Sequence, residues 1–311
     1  MTARHHLVHA VAIALVAVAA PACGDGAASG EVALRAALAT SAGKGGEVGA
    51  LAPVAVPLRA ASPHRMTLTA TIALELPGGA RTVTVSRTID RGAAGRFRVA
   101  DARTVEEPGR DALSDARDGV YDGERFASRR GVGPWVERDV LRGGHWRFLA
   151  DAYALGEDVL RGFKSYLVAK EDPASDETLA GMPVRWSALS LDARVRPQPL
   201  SDAELAALRD HETNWVAWLG ATHRPTKVSG AVARAKETGE LVAGKVEIAG
   251  EATVEGTRAP FRITVEQKVT ALPEGTKLAL PDDVLPAARP RTWKMIEEVL
   301  GDDLLAPYTR R

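Results

Sequence analysis

From Met66 onward, apolar and polar side chains alternate with a period of two. Met66, Leu68, Ala70, Ile72, Leu74 and Leu76 fall on one face; Thr67, Thr69, Thr71, Ala73 and Glu75 fall on the other. This pattern predicts a strand with one buried face over 66–76. Pro77-Gly78-Gly79-Ala80 predicts a turn. Val83, Val85 and Ile89, alternating with Thr82, Thr84, Ser86 and Thr88, predict the returning strand of a long hairpin. Phe97, Val99 and Val105 mark a third strand over 95–105. In 118–140 the turn signals Asp122-Gly123 and Gly131-Val132-Gly133-Pro134 divide the chain into three short strands.

The period then lengthens. Phe148, Ala152, Leu155 and Val159 lie at helical spacing, which predicts a helix over 145–162. Ser201 and Glu204 have capping-box spacing, with Pro199 just outside, and predict a second helix whose apolar side carries Leu205, Leu208, Trp215, Trp218 and Leu219. Between the two helices, 163–170 and 184–191 read as strands. Alternation resumes over 227–235, 241–254 and 261–269, punctuated by Glu237-Thr238-Gly239 and Glu255-Gly256, and a short helix is expected near 292–300. Eight to eleven antiparallel strands with two or three helices make an α+β fold. A sheet this wide with one apolar face must curl or be covered. The expected architecture is therefore a large curved antiparallel sheet, an open half-barrel, with two or three helices covering its concave face.

The N-terminus follows a different pattern. A basic start, MTARHH, leads into the apolar run LVHAVAIALVAVAA, which closes on Ala20-Pro21-Ala22-Cys23-Gly24. A basic start, a short apolar core and small residues before a cleavage point form a secretory signal. The chain's single cysteine stands directly after those small residues, an arrangement that resembles a bacterial lipobox. That resemblance implies cleavage before Cys23, diacylation of its thiol and attachment to a membrane. The division expected is a signal peptide at 1–22, lipidated Cys23 and a flexible tether at 23–58, a folded domain at 59–290, and a C-terminal helix and tail at 291–311. A Gly-, Ala- and Ser-rich tether of roughly 30 residues reaches about 30 Å. Gly24, rather than Asp, follows the cysteine, so the expected location is the cell envelope, at the outer membrane facing the periplasm.

Composition removes several alternatives. The 40 basic and 40 acidic residues balance, against the basic surplus of a nucleic-acid groove. One cysteine allows no disulfide within the chain, so a core must supply stability. No later run of about 20 apolar residues suggests a second membrane segment.

Candidate chemistry is sparse. Gly239-Glu240-Leu241-Val242-Ala243-Gly244-Lys245-Val246 matches a phosphate loop except at its last residue, where Val246 replaces the magnesium-binding hydroxyl, and the residues that follow read as a strand. His64, His145, His211 and His223 form no metal-ligand pair, and no GxSxG elbow surrounds a serine. Glu106, Glu107, Asp111, Asp115, Asp118, Asp122 and Glu124 read as solvated strand faces and turns rather than a glycosidase pair. The sequence calls for no metal and no cofactor, and for no enzymatic activity.

The tether, the long opening hairpin, the YDGERF turn, the central helices and the closing hairpins around KETGELVAGKVEI resemble the LolA/LolB-like half-barrel lipoproteins and their LppX/LprG-type relatives over about residues 60–285. The resemblance implies an eleven-stranded half-barrel wrapped around helices, with an apolar cavity that holds acyl chains. It makes a lipid or acyl chain the expected ligand, with Trp215, Trp218, Trp135, Phe126 and Leu155 as candidate contacts. Another envelope protein is a possible further partner. The alternatives are a packed lipoprotein that docks an envelope protein and binds no small ligand, and an envelope hydrolase.

Overall fold

The computed structural model describes residues 57–58, 61–140, 143–172, 177–192, 194, 201, 204, 208, 219, 223–254 and 256–286. They all lie in the second of the chain's two compact units, Ala52–Arg311. The opening alternation becomes β1 (His64–Leu76) and β2 (Gly79–Arg91), paired antiparallel from His64↔Arg91 to Leu76↔Gly79. Their turn is therefore tighter than the four residues expected. The chain continues through β3 (Phe97–Glu106), β4 (Leu113–Tyr121), β5 (Phe126–Arg130) and β6 (Val136–Arg138). The expected three short strands and two turns around YDGERF are thus present. Asp122 Oδ1 accepts the backbone N–H groups of Glu124 (3.0 Å) and Arg125 (2.8 Å), and Gly123 takes φ 109°, where a side chain would strain the turn.

The helix α1 (Gly144–Gly162) follows, then β7 (Leu167–Glu171), β8 (Glu177–Leu179), β9 (Met182–Leu191), β10 (His223–Ala235), β11 (Leu241–Val254) and β12 (Thr257–Ala271). The strands form one antiparallel sheet in the order β6-β5-β4-β3-β2-β1-β12-β11-β10-β9-β7, with β8 on β9. The sheet has twelve strands, against the eight to eleven expected. Its N-terminal and C-terminal hairpins meet where β1 pairs with β12.

Helix number is a correction. Among the described residues there is one long helix, not two or three. The expected second helix lies mostly outside them, although its capping box is formed. The Ser201 N–H and Oγ–H donate to Glu204 Oε2 at 3.0 and 2.9 Å, and the Glu204 N–H donates to Ser201 Oγ at 3.3 Å. The Ser201 backbone, then Lys164 and the Ser201 hydroxyl, hold the Glu204 carboxyl down to about 2. The expected helix near 292–300 lies outside the described residues.

The sheet curls around α1. Phe148 packs on Phe126 of β5 with ring centroids 5.3 Å apart, and Leu160 faces Val232 of β10 across a shared cleft. Twelve residues of helix span about 18 Å. From β5 to β10 a flat sheet would span roughly 34 Å. Both contacts hold only if the sheet bends. Ala152 to Gly156 are consecutive and all buried, so α1 is enclosed around its full turn.

Candidate functional site

Alternation places every second residue of the central strands against α1. Leu68, Ile72 and Leu74 of β1, Val83 and Ile89 of β2, and Ile263 of β12 are essentially inaccessible there. Under the C-terminal half of the helix, Val159 and Leu160 face Val232, Leu241, Val246 and Val265 across an apolar cleft. About 10 Å³ of this cleft is open to a water centre, at the lower limit for a single water. In this conformation the cleft is too small for an acyl chain.

Polar groups on the same face fasten the helix. Arg87 is 3% exposed and donates to Ala152 O at 3.0 Å and to Asp101 Oδ2 at 2.9 Å. The His64 ring donates from Nδ1 to Ser62 O at 2.8 Å, because a carbonyl can only accept; its Nε2 then accepts the Tyr153 hydroxyl, also at 2.8 Å. Burial, opposed by the Ser62 bond and aided by Arg91, lowers the His64 pKa and keeps this tautomer neutral. Burial raises the Tyr153 phenol, so it stays a donor. Gln267 Nε2 donates to Val242 O at 3.0 Å, and its Oε1 lies 2.8 Å from where a Cβ on Gly156 would stand. A side chain at Gly156 would therefore require the Gln267 amide to shift.

A further set holds Pro57 and Leu58, at the end of the segment expected to be a tether. Arg91 donates to Pro57 O at 3.0 Å and Leu58 O at 2.9 Å, while the Leu58 N–H reaches Glu240 Oε2 at 3.2 Å. The Leu58 side chain is fully buried in the main core, with φ 54°.

The structure separates the candidate contacts. Leu155 is fully buried on α1. Phe126 belongs to an aromatic cluster at the start of the helix, with Phe97 at 6.0 Å, Phe148 at 5.3 Å and His145 at 6.3 Å. Trp135 lies on the opposite face of the sheet, in a small cluster with Val120 and Ala127, since adjacent strand residues point to opposite sides. Leu280 and Val284 cover it there, and Arg129 stacks over its ring at 4.8 Å. Trp135 is therefore a packing residue beneath a strap. The strap also caps the β6 edge, where Glu137 N–H donates to Leu285 O (2.9 Å) and Leu285 N–H to Trp135 O (2.8 Å). Trp215, Trp218 and Cys23 lie outside the described residues.

The carboxylates considered for hydrolysis are largely structural. Asp118 pairs with Arg129, Asp115 with Arg130, and Glu107 with Arg81 and Arg110. Gly239 sits in a turn, and Lys245, on β11, lies 3.5 Å from Glu266. Among the described residues no group of His, Cys, Asp or Glu could hold a metal ion, and no helix is long and apolar enough to cross a membrane.

Sequence reasoning missed the polar fastenings, although two left a signal. Arg87 stands between Val85 and Ile89, and Gln267 between Val265 and Val269, each where the alternation calls for an apolar residue.

No protein-family model and no curated protein matches the chain. Among solved structures, LprF from Mycobacterium bovis, of the LppX/LprG group that the sequence resembles, aligns over 70% of this chain and 90% of its own, at 11% identity and a TM-score of 0.30. A beta-barrel-like protein of a domain of unknown function from Brucella abortus aligns over 70% and 99%, at 9% identity and 0.21. A porin-like protein from Bacteroides uniformis aligns over 65% and 96%, at 8% identity and 0.21. Superpositions this loose assign neither ancestry nor function.

Proposed function

We propose that the protein is an envelope lipoprotein, anchored through Cys23 at the outer membrane facing the periplasm, that takes a lipid or acyl chain between α1 and the sheet. The observation that carries this reading is the construction of the concave face. A continuous apolar surface is closed by one described long helix, held by a few polar bonds over an apolar cleft. The closed cleft admits no chain, so uptake requires α1 to lift. Burial then stabilises the complex by about 0.8 kcal/mol per methylene.

The test is native mass spectrometry of the delipidated protein after incubation with mixed phospholipids. Bound lipid at a one-to-one ratio is expected. A tethering defect in Cys23→Ser, read by membrane fractionation, tests the anchor separately.

The filled interior favours a second reading, a packed lipoprotein that docks an envelope protein and binds no small ligand. Absence of bound lipid, with the fold intact by circular dichroism, selects it.

A further inference from the structure

Ahead of β1, a leucine enters the core from a segment that belongs to no strand or helix. The Leu58 side chain is fully buried in the same core cluster as Leu149, Leu155 and Leu160 of α1. Its φ of 54° is a left-handed conformation that bulky side chains rarely adopt, so the insertion is held against backbone strain. Polar bonds hold it there. Arg91, itself buried, donates to Pro57 O at 3.0 Å and Leu58 O at 2.9 Å, and the Leu58 N–H donates to Glu240 Oε2 at 3.2 Å. The Ser62 N–H donates to Ala180 O, in the β8–β9 turn, at 2.8 Å. Three strands separate β1 from β9 in the sheet, so this bond crosses the curve from one to the other.

One side chain of α1 is tied to both ends of the segment. The Tyr153 hydroxyl donates to His64 Nε2 at 2.8 Å and is also reached by the Arg91 guanidinium. Each of these two partners binds the segment as well: His64 Nδ1 donates to Ser62 O, and Arg91 to Pro57 O and Leu58 O. If residues 57–62 leave, a buried guanidinium loses two acceptors, and His64 loses the carbonyl that fixes its tautomer. Buried donors without partners are costly, so the bonds to Tyr153 weaken in the same step.

We infer that Leu58 is the plug of a latch: residues 57–62 and α1 open as one unit, and α1 lifts only after Leu58 withdraws. Withdrawal leaves a gap in the core cluster that the segment shares with α1, and an acyl chain competes with Leu58 for that space. The inference deepens the lipid-binding reading and rests on it for the competing ligand; the coupling of segment to helix stands without it.

The test uses the full-length lipoprotein in detergent, as wild type, Glu240→Ala and Leu58→Ala, with and without short-chain phosphatidylglycerol. Trypsin cleavage after Arg59 reports withdrawal of Leu58, because a protease needs the flanking residues extended in its cleft. Hydrogen exchange over 149–156 reports lifting of α1. Glu240→Ala frees the Leu58 N–H and leaves every apolar core side chain in place. It is expected to raise both the cleavage and the exchange roughly fivefold or more, while the amides of β1 and β12 exchange as before. Leu58→Ala raises both further, and phosphatidylglycerol raises the cleavage in wild type. Faster cleavage with unchanged exchange over 149–156 overturns the latch. Lipid bound one to one with cleavage after Arg59 unchanged also overturns it, and leaves the lipid-binding reading standing. No bound lipid, with cleavage and exchange still rising together in Glu240→Ala, keeps the latch and overturns the carrier reading.

Discussion

Arg87 is 3% exposed and its partner Asp101 14%, so this ion pair is desolvated at the helix–sheet boundary. Replacing Arg87 with Met leaves the Asp101 charge without its partner and Ala152 O without a donor. Breaking a buried pair from one side costs about 3–5 kcal/mol. Arg87→Met is expected near the lower figure, because Asp101 keeps some solvent. The double change Arg87→Met with Asp101→Leu is expected to recover at least half of that loss in urea unfolding. An equal loss in the double variant shows that the buried charge is not what the arginine compensates. Leu58 makes a second residue-scale case. Its side chain is fully buried in the main core, and its backbone is fixed by Arg91 and Glu240. Leu58→Ala is expected to lower stability by about 2–4 kcal/mol and to raise proteolysis near 57–62. Unchanged cleavage there argues that the junction is held by its backbone bonds alone.

Elements fit together here through close approach as much as through apolar area. On β4, a methyl at Gly119 would stand 2.4 Å from Phe148 Cε1 of α1, and Gly119 has no positive φ, so only space demands the glycine. Gly119→Ala is expected to cost about 1–3 kcal/mol by overpacking, and Phe148→Leu in the same chain to return part of it. Thermal melts of the three variants check this; an additive result places the strain elsewhere. The same scale shows what the sequence could and could not convey. Long strands such as β1 and β12 bury one face over more than ten residues, so their alternation reads directly. The three-residue β8, between the segments 163–170 and 184–191 expected to be strands, buries too little for any period to appear. Helix α1 was legible from Phe148, Ala152, Leu155 and Val159 and begins one residue earlier than expected. Arg87 and Gln267 were visible as breaks in alternation, but the bonds that join Arg87 to α1 and Gln267 to β11 end on the carbonyls of Ala152 and Val242. A backbone acceptor is common to every residue type and leaves no trace in a sequence. Trp135 misled for the opposite reason: its aromaticity was visible, but whether it faced α1 or the strap depended on where β6 begins.

At the scale of the whole molecule, three buried histidines set a pH limit. His64 meets Tyr153 and Ser62 with Arg91 and Asp90 nearby; His145 packs on Tyr121 at 4.4 Å and Trp146 at 4.6 Å; His223 packs on Phe163 at 5.0 Å. Burial is the leading cause that lowers all three pKa values in the folded chain. The unfolded chain, with histidines near 6.5, therefore binds more protons than the folded chain below that pH. Stability is then fully present well above pH 6.5 and falls as the pH drops through it, by up to about 1.4 kcal/mol per pH unit for each histidine and roughly 4 for three together. The depressed carboxylates Asp115, Glu137, Glu204 and Glu266 start from lower unfolded values, so their losses come at more acid pH. Urea unfolding at pH 8, 6.5, 5.8 and 5.2 is expected to show a loss of about 1 kcal/mol between the first two and a steeper fall after them. His64→Gln, which can still donate to one neighbour and accept from the other, is expected to reduce the acid slope by about a third. A stability profile level down to pH 5.2 would mean that these rings open to water as they take up their protons, and so that the concave face breathes at their positions without unfolding.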